Sequence, residues 1–171
     1  MPSVSVIIPT CDRPDMLAEA LHSVAAQSRC PDEVIVVDNG TAPLPEDLAE
    51  RFPGTRIERL PPRSGASFAR NWGAWIATGD TLAFLDDDDL WPADYLARML
   101  ACQQARDSAL VAAPQRLTDS QAETDRPLLP DTAGRFPRWA RLGYRGSNML
   151  VRRDAFWAVH GFPTRLMTGE D

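Results

Sequence analysis

Short, dense apolar runs alternate along the chain with stretches whose apolar residues recur at helical spacing. Val4-Ser5-Val6-Ile7-Ile8 is β-branched and closed by Pro9, which predicts a buried first strand. A helix follows, with Asp12 as its cap, Pro14 in the first turn and Leu17, Leu21 and Val24 on one face up to about Gln27. Residues 33–37 predict a second buried strand, ended by the turn sequence Asp38-Asn39-Gly40. Residues 48–52 predict a short helix. Residues 56–60 alternate polar and apolar as an edge strand does, until Pro61-Pro62 ends them. In 64–76, Ala69, Trp72 and Ile76 are helically spaced. A strand over 81–85, a helix over 92–105 and a strand over 109–113 complete the regular part.

Strands alternating with helices imply βαβ units: an α/β, Rossmann-like, mostly parallel sheet with helices on both faces. Ligands of such sheets bind beyond the carboxyl ends of the strands. The informative polar residues fall there: Thr10 and Asp12 after the first strand, Asp38 after the second, and four consecutive aspartates (Asp86, Asp87, Asp88 and Asp89) after the fourth. The 171 residues suit one domain. Within it, 1–113 is the expected ligand-binding part. Residues 114–138, with four prolines and little periodicity, are expected to form a flexible loop. In 139–171, a strand over 146–151 and a capped helix over 154–159 open a second part.

Packed carboxylates at a strand end need their repulsion offset. A hard divalent cation such as Mg2+ does this with oxygen ligands and prefers the phosphates of a substrate as partners. A solvated acidic turn is the alternative. A calcium loop starting at Asp86 would need glycine at its sixth position and glutamate at its twelfth, where Trp91 and Ala97 stand. A dinucleotide site needs glycines after the first strand, and residues 9–14 have none. A phosphatase that phosphorylates an aspartate after a strand shares the Asp86-x-Asp88 spacing, but Leu90 stands where such enzymes carry Thr or Val. A module that binds a nucleotide without turnover is the non-enzymatic rival.

The net charge of −6, with no basic stripe, argues against a nucleic-acid partner. All 18 basic residues are arginine, which excludes lysine chemistry and the phosphate loop that needs it. Cys11, Cys30 and Cys102 lack metal-ligand spacing, and an odd count without a secretory leader fits a cytoplasmic protein. No apolar stretch approaches the ~20 residues of a membrane span, which leaves a peripheral membrane role open.

Several motifs in order resemble glycosyltransferase family 2, the inverting nucleotide-sugar transferases of GT-A fold. They are the opening strand to Pro9-Thr10, Ser23-Val24 with Ala26-Gln27-Ser28, Ala69-Arg70-Asn71-Trp72-Gly73, the acid run with Leu90-Trp91-Pro92, and later Gly146-Ser147-Asn148, Arg152-Arg153, Gly161-Phe162 and Gly169-Glu170-Asp171. The resemblance implies a glycosyltransferase of hexosyltransferase type, with a nucleotide-sugar donor (a UDP-sugar first), Mg2+ or Mn2+, and an acceptor it leaves unspecified. It places Pro9, Thr10 and Asp12 around base and ribose, and sets Asp38 on the base N–H. Arg70 goes to the nucleotide or its diphosphate, Asp86 near the ribose, and Asp88 on the metal with Asp87 or Asp89 as its neighbour. Asp171 is the general base. Family domains continue past the Glu-Asp pair, so the chain is expected to be cut short at its C-terminus.

Overall fold

The computed structural model describes residues 2–113 and 146–164, with two short strands between them. A six-stranded sheet carries the order β3-β2-β1-β4-β8-β5. Its parallel part is β1 (Val4–Thr10), β2 (Glu33–Asp38), β3 (Thr55–Arg59) and β4 (Thr81–Phe84). The helices between them are α1 (Pro14–Ala25), α2 (Leu48–Arg51) and α3 (Ala66–Ile76). After α4 (Tyr95–Ala105) comes the edge strand β5 (Leu110–Ala112). β6 (Leu117–Asp119) and β7 (Ala122–Thr124) pair antiparallel inside the stretch expected to be a loop. β8 (Met149–Arg152) runs antiparallel to both β4 and β5, and α5 (Arg153–Ala158) follows it.

The pleat sorts each strand into two layers. Val4, Val6 and Ile8 of β1 meet Leu17, Leu21 and Val24 of α1 and Leu96, Met99 and Leu100 of α4. Ile7, Ile35, Val37 and Phe84 form the opposite layer with Ala69 and Ala74 of α3 and Phe156 of α5. Gly73 brings α3 close to the sheet: a Cβ there would stand 2.5 Å from Ile7 Cγ2 and 3.2 Å from Val37 Cγ2. That approach fixes the height of Arg70, one helical turn earlier.

Several boundaries differ from the sequence expectation, each for a physical reason. β1 continues through Pro9 to Thr10. Ile7 faces β4, where its carbonyl takes the last bond from Leu85, so the proline nitrogen two residues on points past the end of β4 and no ladder bond is lost. Asp12 does not cap α1. It adopts φ +56°, which aspartate tolerates, and its carboxylate is spent elsewhere. α4 begins at Tyr95 rather than Pro92, because 92–95 close a turn through the Pro92 carbonyl and Tyr95 N–H at 2.9 Å. α3 begins after Gly65, and a 3-10 turn (Gly146–Asn148) replaces the first half of the strand expected over 146–151.

Candidate functional site

The acid run is a turn that divides its own side chains. Asp89 N–H donates to the Asp86 carbonyl at 3.2 Å, folding residues 86–89 on themselves. Asp87 points inward toward β1, where Thr10 Oγ1 donates to Asp87 Oδ2 at 2.7 Å. The carboxylates of Asp86, Asp88 and Asp89 instead offer oxygens that all lie within 4.8 Å of one another. Three oxygens so placed suit a hard divalent cation, which takes carboxylates and leaves room for phosphate oxygens. Burial is the main force on Asp87 and pushes its carboxyl above the ordinary range, against the lowering by Thr10 and by Arg13.

The β1–α1 and β2–α2 loops lock together beside it. Asp12 accepts from Thr41 N–H at 2.7 Å, Thr41 Oγ1 at 2.9 Å and Ala42 N–H at 3.1 Å. The Ala42 and Thr41 donors hold its carboxyl below the usual range. Asp38 is buried: Oδ1 accepts from Gly40 N–H at 2.8 Å, and Oδ2 from Arg59 Nη1 at 2.9 Å. Arg59 is the register partner of Asp38 on the neighbouring strand, so the pair is a cross-strand ion pair. Gly40 leaves no space for a side chain, since its Cβ would meet Asp12 Oδ1 at 2.7 Å and Asp38 Oδ1 at 3.0 Å. An ionised carboxylate offers about four lone-pair sites, so Asp38 keeps acceptor capacity. The Asn39 amide, with its nitrogen toward Thr10, spans the Thr10 carbonyl at 2.6 Å and the Gly65 N–H at 3.0 Å.

Arg70 is buried, at 6% exposed. Its Nη2 pairs with Asp86 Oδ1, and its guanidinium lies 5.6 Å from the centre of the Phe162 ring. Its Nε has no hydrogen-bond partner among the described residues. The next residue explains how Phe162 is held: Asn71 Nδ2 donates to the Phe162 carbonyl at 2.8 Å, and Phe162 N–H to Asn71 Oδ1 at 2.9 Å. Gly161 sits at φ +70°, with no space for a Cβ beside Asn71 Oδ1 at 2.6 Å. The Ala-Arg-Asn-x-Gly and Gly-Phe motifs are thus two halves of one contact.

The end of α1 supports the acid turn from behind. Gln27 is buried; its Nε2 donates to the Pro92 carbonyl at 2.7 Å, and its Oε1 accepts from Leu96 N–H at 3.0 Å. Gln27 therefore satisfies an open N–H of the first turn of α4, where no local side chain caps. Ser23 Oγ accepts from Trp91 N–H at 3.2 Å. Trp91 is buried and stacks on Tyr95 at 4.4 Å, which places it in the core.

Of the residues singled out in the sequence, Pro9, Thr10, Asp12, Asp38, Arg70, Asp86, Asp87 and Asp88 all lie at the carboxyl rim of the parallel strands. Asp171 lies outside the described residues. Arg13 and Arg59 belong to the same network and escaped the sequence reading, in which Phe162 stood as part of a motif with no role given to it. Arg13 was visible only as a helix-start residue and Arg59 only as a polar position on an edge strand. Their partners depend on register and tertiary approach, which carry no local signal.

The model of glycosyl transferase family 2 matches residues 5–160, and the chain belongs to that family. It is 36% identical over 163 residues to the succinoglycan biosynthesis protein ExoM of Rhizobium meliloti, covering 89% of this chain and 52% of that protein. It is 34% identical over 112 residues to the putative teichuronic acid biosynthesis glycosyltransferase TuaG of Bacillus subtilis, covering 63% and 44%. S. aureus TarS 1–349 in complex with UDP superposes with a TM-score of 0.71 at 21% identity, over 98% of this chain and 52% of that one. The mannosyltransferase PcManGT of Pyrobaculum calidifontis, solved with GDP-Man and Mn2+, gives 0.69 at 24% identity, over 96% and 48%. These likenesses establish the GT-A fold. The chain spans about half the length of the relatives it matches.

Proposed function

We propose that the chain is the donor-binding half of an inverting glycosyltransferase that moves a hexosyl group from a nucleotide-sugar to an acceptor hydroxyl. The observation that carries this reading is the convergence of Asp86, Asp88 and Asp89 at the carboxyl rim, beside buried Arg70 and the Thr10–Asp87 contact. Family membership supports it, as do the GDP-Man with Mn2+ in PcManGT and the UDP in TarS.

The donor set is all carboxylate oxygen, which fits Mg2+ or Mn2+. Asp88, with Asp86 and Asp89, would hold the ion. Bound there, it supplies neutralisation of the charge that gathers on the departing nucleoside diphosphate. The chain's own groups do the rest. Asp38 reads a base N–H with its spare lone pairs, and a buried acceptor left unpaired by the wrong base penalises it. Uracil presents such a donor, so a UDP-sugar is the first candidate. Pro9, Thr10 and Asp12 shape the pocket wall. Arg70 holds Asp86 in place and adds positive charge behind the diphosphate. Asp87 ties the acid turn to β1. Asp171 takes the acceptor proton as its oxygen attacks the face opposite the leaving group. One displacement inverts the anomeric centre, and a positioned base contributes roughly 10²–10⁴-fold.

Thermal melting with UDP and Mn2+ tests the reading. Ligand at about 100 times its Kd stabilises by about 2.7 kcal/mol, a rise of roughly 5–10 °C for a chain of this size. Asp88→Ala should lose the Mn2+-dependent part of that rise. A wild-type chain that does not shift at all with millimolar UDP and Mn2+ refutes the donor reading.

A further inference from the structure

Arg13 has no task in the transfer as proposed, yet it touches both sides of the acid turn. Its Nη1 lies 3.1 Å from Asp88 Oδ2 and 3.4 Å from Asp87 Oδ1, so one nitrogen bridges the outward and the inward carboxylate. Its two contacts differ in kind. The Asp87 side chain is 8% exposed and fixed by Thr10. The Asp88 side chain is 50% exposed and the Arg13 side chain 42%, so their contact is open to water. Exposed pairs of this kind are weak and exchange readily.

Asp88 is also one of the three carboxylates that converge within 4.8 Å. A cation on that triad and a guanidinium on the same carboxylate are like charges a few ångströms apart, and they compete. Once released from Asp88, the guanidinium presents a planar fork of donors at the edge of the triad, a shape that suits phosphate oxygens.

We propose that Arg13 is an internal counter-ion of the acid turn. It neutralises Asp88 until a divalent cation arrives, then passes its freed N–H groups to the diphosphate that accompanies the cation, while Asp87 keeps it tethered to the turn. The proposal rests on the donor reading above and adds to it a coupling between cation and nucleotide. The cation alone must displace Arg13; with the diphosphate present, the displaced guanidinium gains a partner. Each ligand therefore strengthens the other by the same factor.

Two titrations of the full chain test this: free Mn2+ followed by electron paramagnetic resonance without nucleotide, and UDP followed by calorimetry in saturating Mn2+. Arg13→Gln should bind Mn2+ alone about 3–10-fold more tightly, because a competing unit charge is gone. It should bind UDP about tenfold more weakly, the loss of one charge-assisted contact. A merely structural role would move both in the same direction. Arg13→Lys keeps the charge but not the fork, so its Mn2+ affinity should stay near wild type while UDP weakens. An Arg13→Gln chain that binds Mn2+ no tighter than wild type, or an Arg13→Lys chain with unchanged UDP affinity, overturns the proposal. If wild type binds neither ligand, the donor reading fails as well. If wild type binds both and Arg13→Gln matches it in each titration, only the role of Arg13 fails.

Discussion

At the amino end of the parallel strands, polar residues close on one another. Ser3 Oγ donates to Asp80 Oδ2 at 2.8 Å and accepts from Asp80 N–H at 3.0 Å. Ser5 Oγ donates to Glu33 Oε2 at 2.6 Å and accepts from Gly79 N–H at 2.9 Å. Thr78 adds its N–H and hydroxyl to the same Glu33 oxygen at 2.9 and 3.1 Å. Each of these acids takes these hydrogen bonds from neutral donors of a neighbouring segment. At the carboxyl end, Asp12, Asp38 and the four acids of the turn gather together, answered by arginines: Arg59 from the edge strand, Arg70 from α3 and Arg13 from the β1–α1 loop. One end satisfies its own polar groups. The other concentrates negative charge and leaves carboxylates facing outward, an arrangement that a cation and a diphosphate would complete.

Breaking the carboxyl end at its buried arginine should cost most. Arg70→Met leaves Asp86 without its guanidinium and should destabilise by about 3 kcal/mol, lowering Tm by roughly 6–12 °C. A fall below about 2 °C would mean that the pair adds little to the rim. The amino end should break more gently. Ser5→Ala strands the buried Gly79 N–H and removes one donor from Glu33, for about 1–3 kcal/mol, with UDP affinity unchanged. A loss of UDP binding in Ser5→Ala would show that the two ends are not independent.

The smallest effect carries the sharpest sign. Ser3 donors hold Asp80 below the ordinary carboxylate value of 3.8, so its contribution is present above that pH and is lost as pH falls through the lower folded value. Burial raises Asp87, so its contribution runs the other way: present below 3.8, lost as pH rises through the raised folded value. Asp80→Asn should therefore lower Tm at pH 7 and approach wild type in acid. Asp87→Asn should raise Tm slightly at pH 7, by less than about 1 kcal/mol, with the gain shrinking toward pH 4. Melting curves of both variants from pH 7 down to well below 3.8 check the pair. An Asp87→Asn chain less stable than wild type at pH 7 would contradict the assignment.

The α/β order was legible because β1 and β2 are β-branched runs, β3 alternates as an edge strand does, and α1 and α3 carry apolar residues at helical spacing. The carboxyl rim was legible too, since every candidate acid of residues 1–113 follows a strand. What escaped depends on approach between distant segments. Gln27 reads as the end of a helix, and only the fold reveals it as the cap of α4. Asp12 reads as a cap, and only its positive φ turns it toward Thr41. β8 enters antiparallel between β4 and β5, a topology that no residue in 146–151 announces. Four identical aspartates look alike in sequence, whereas the turn separates them, sending Asp87 to Thr10 and bringing oxygens of Asp86, Asp88 and Asp89 within 4.8 Å of one another.

The central claim is that the outward acids and the diphosphate share one cation. Crystals grown with UDP and Mn2+, measured at the manganese absorption edge, would test it most directly. An anomalous peak among the carboxylates of Asp86, Asp88 and Asp89, touching both phosphates of UDP, is the predicted result. A peak elsewhere, or UDP bound with no manganese between its phosphates and these aspartates, would contradict it.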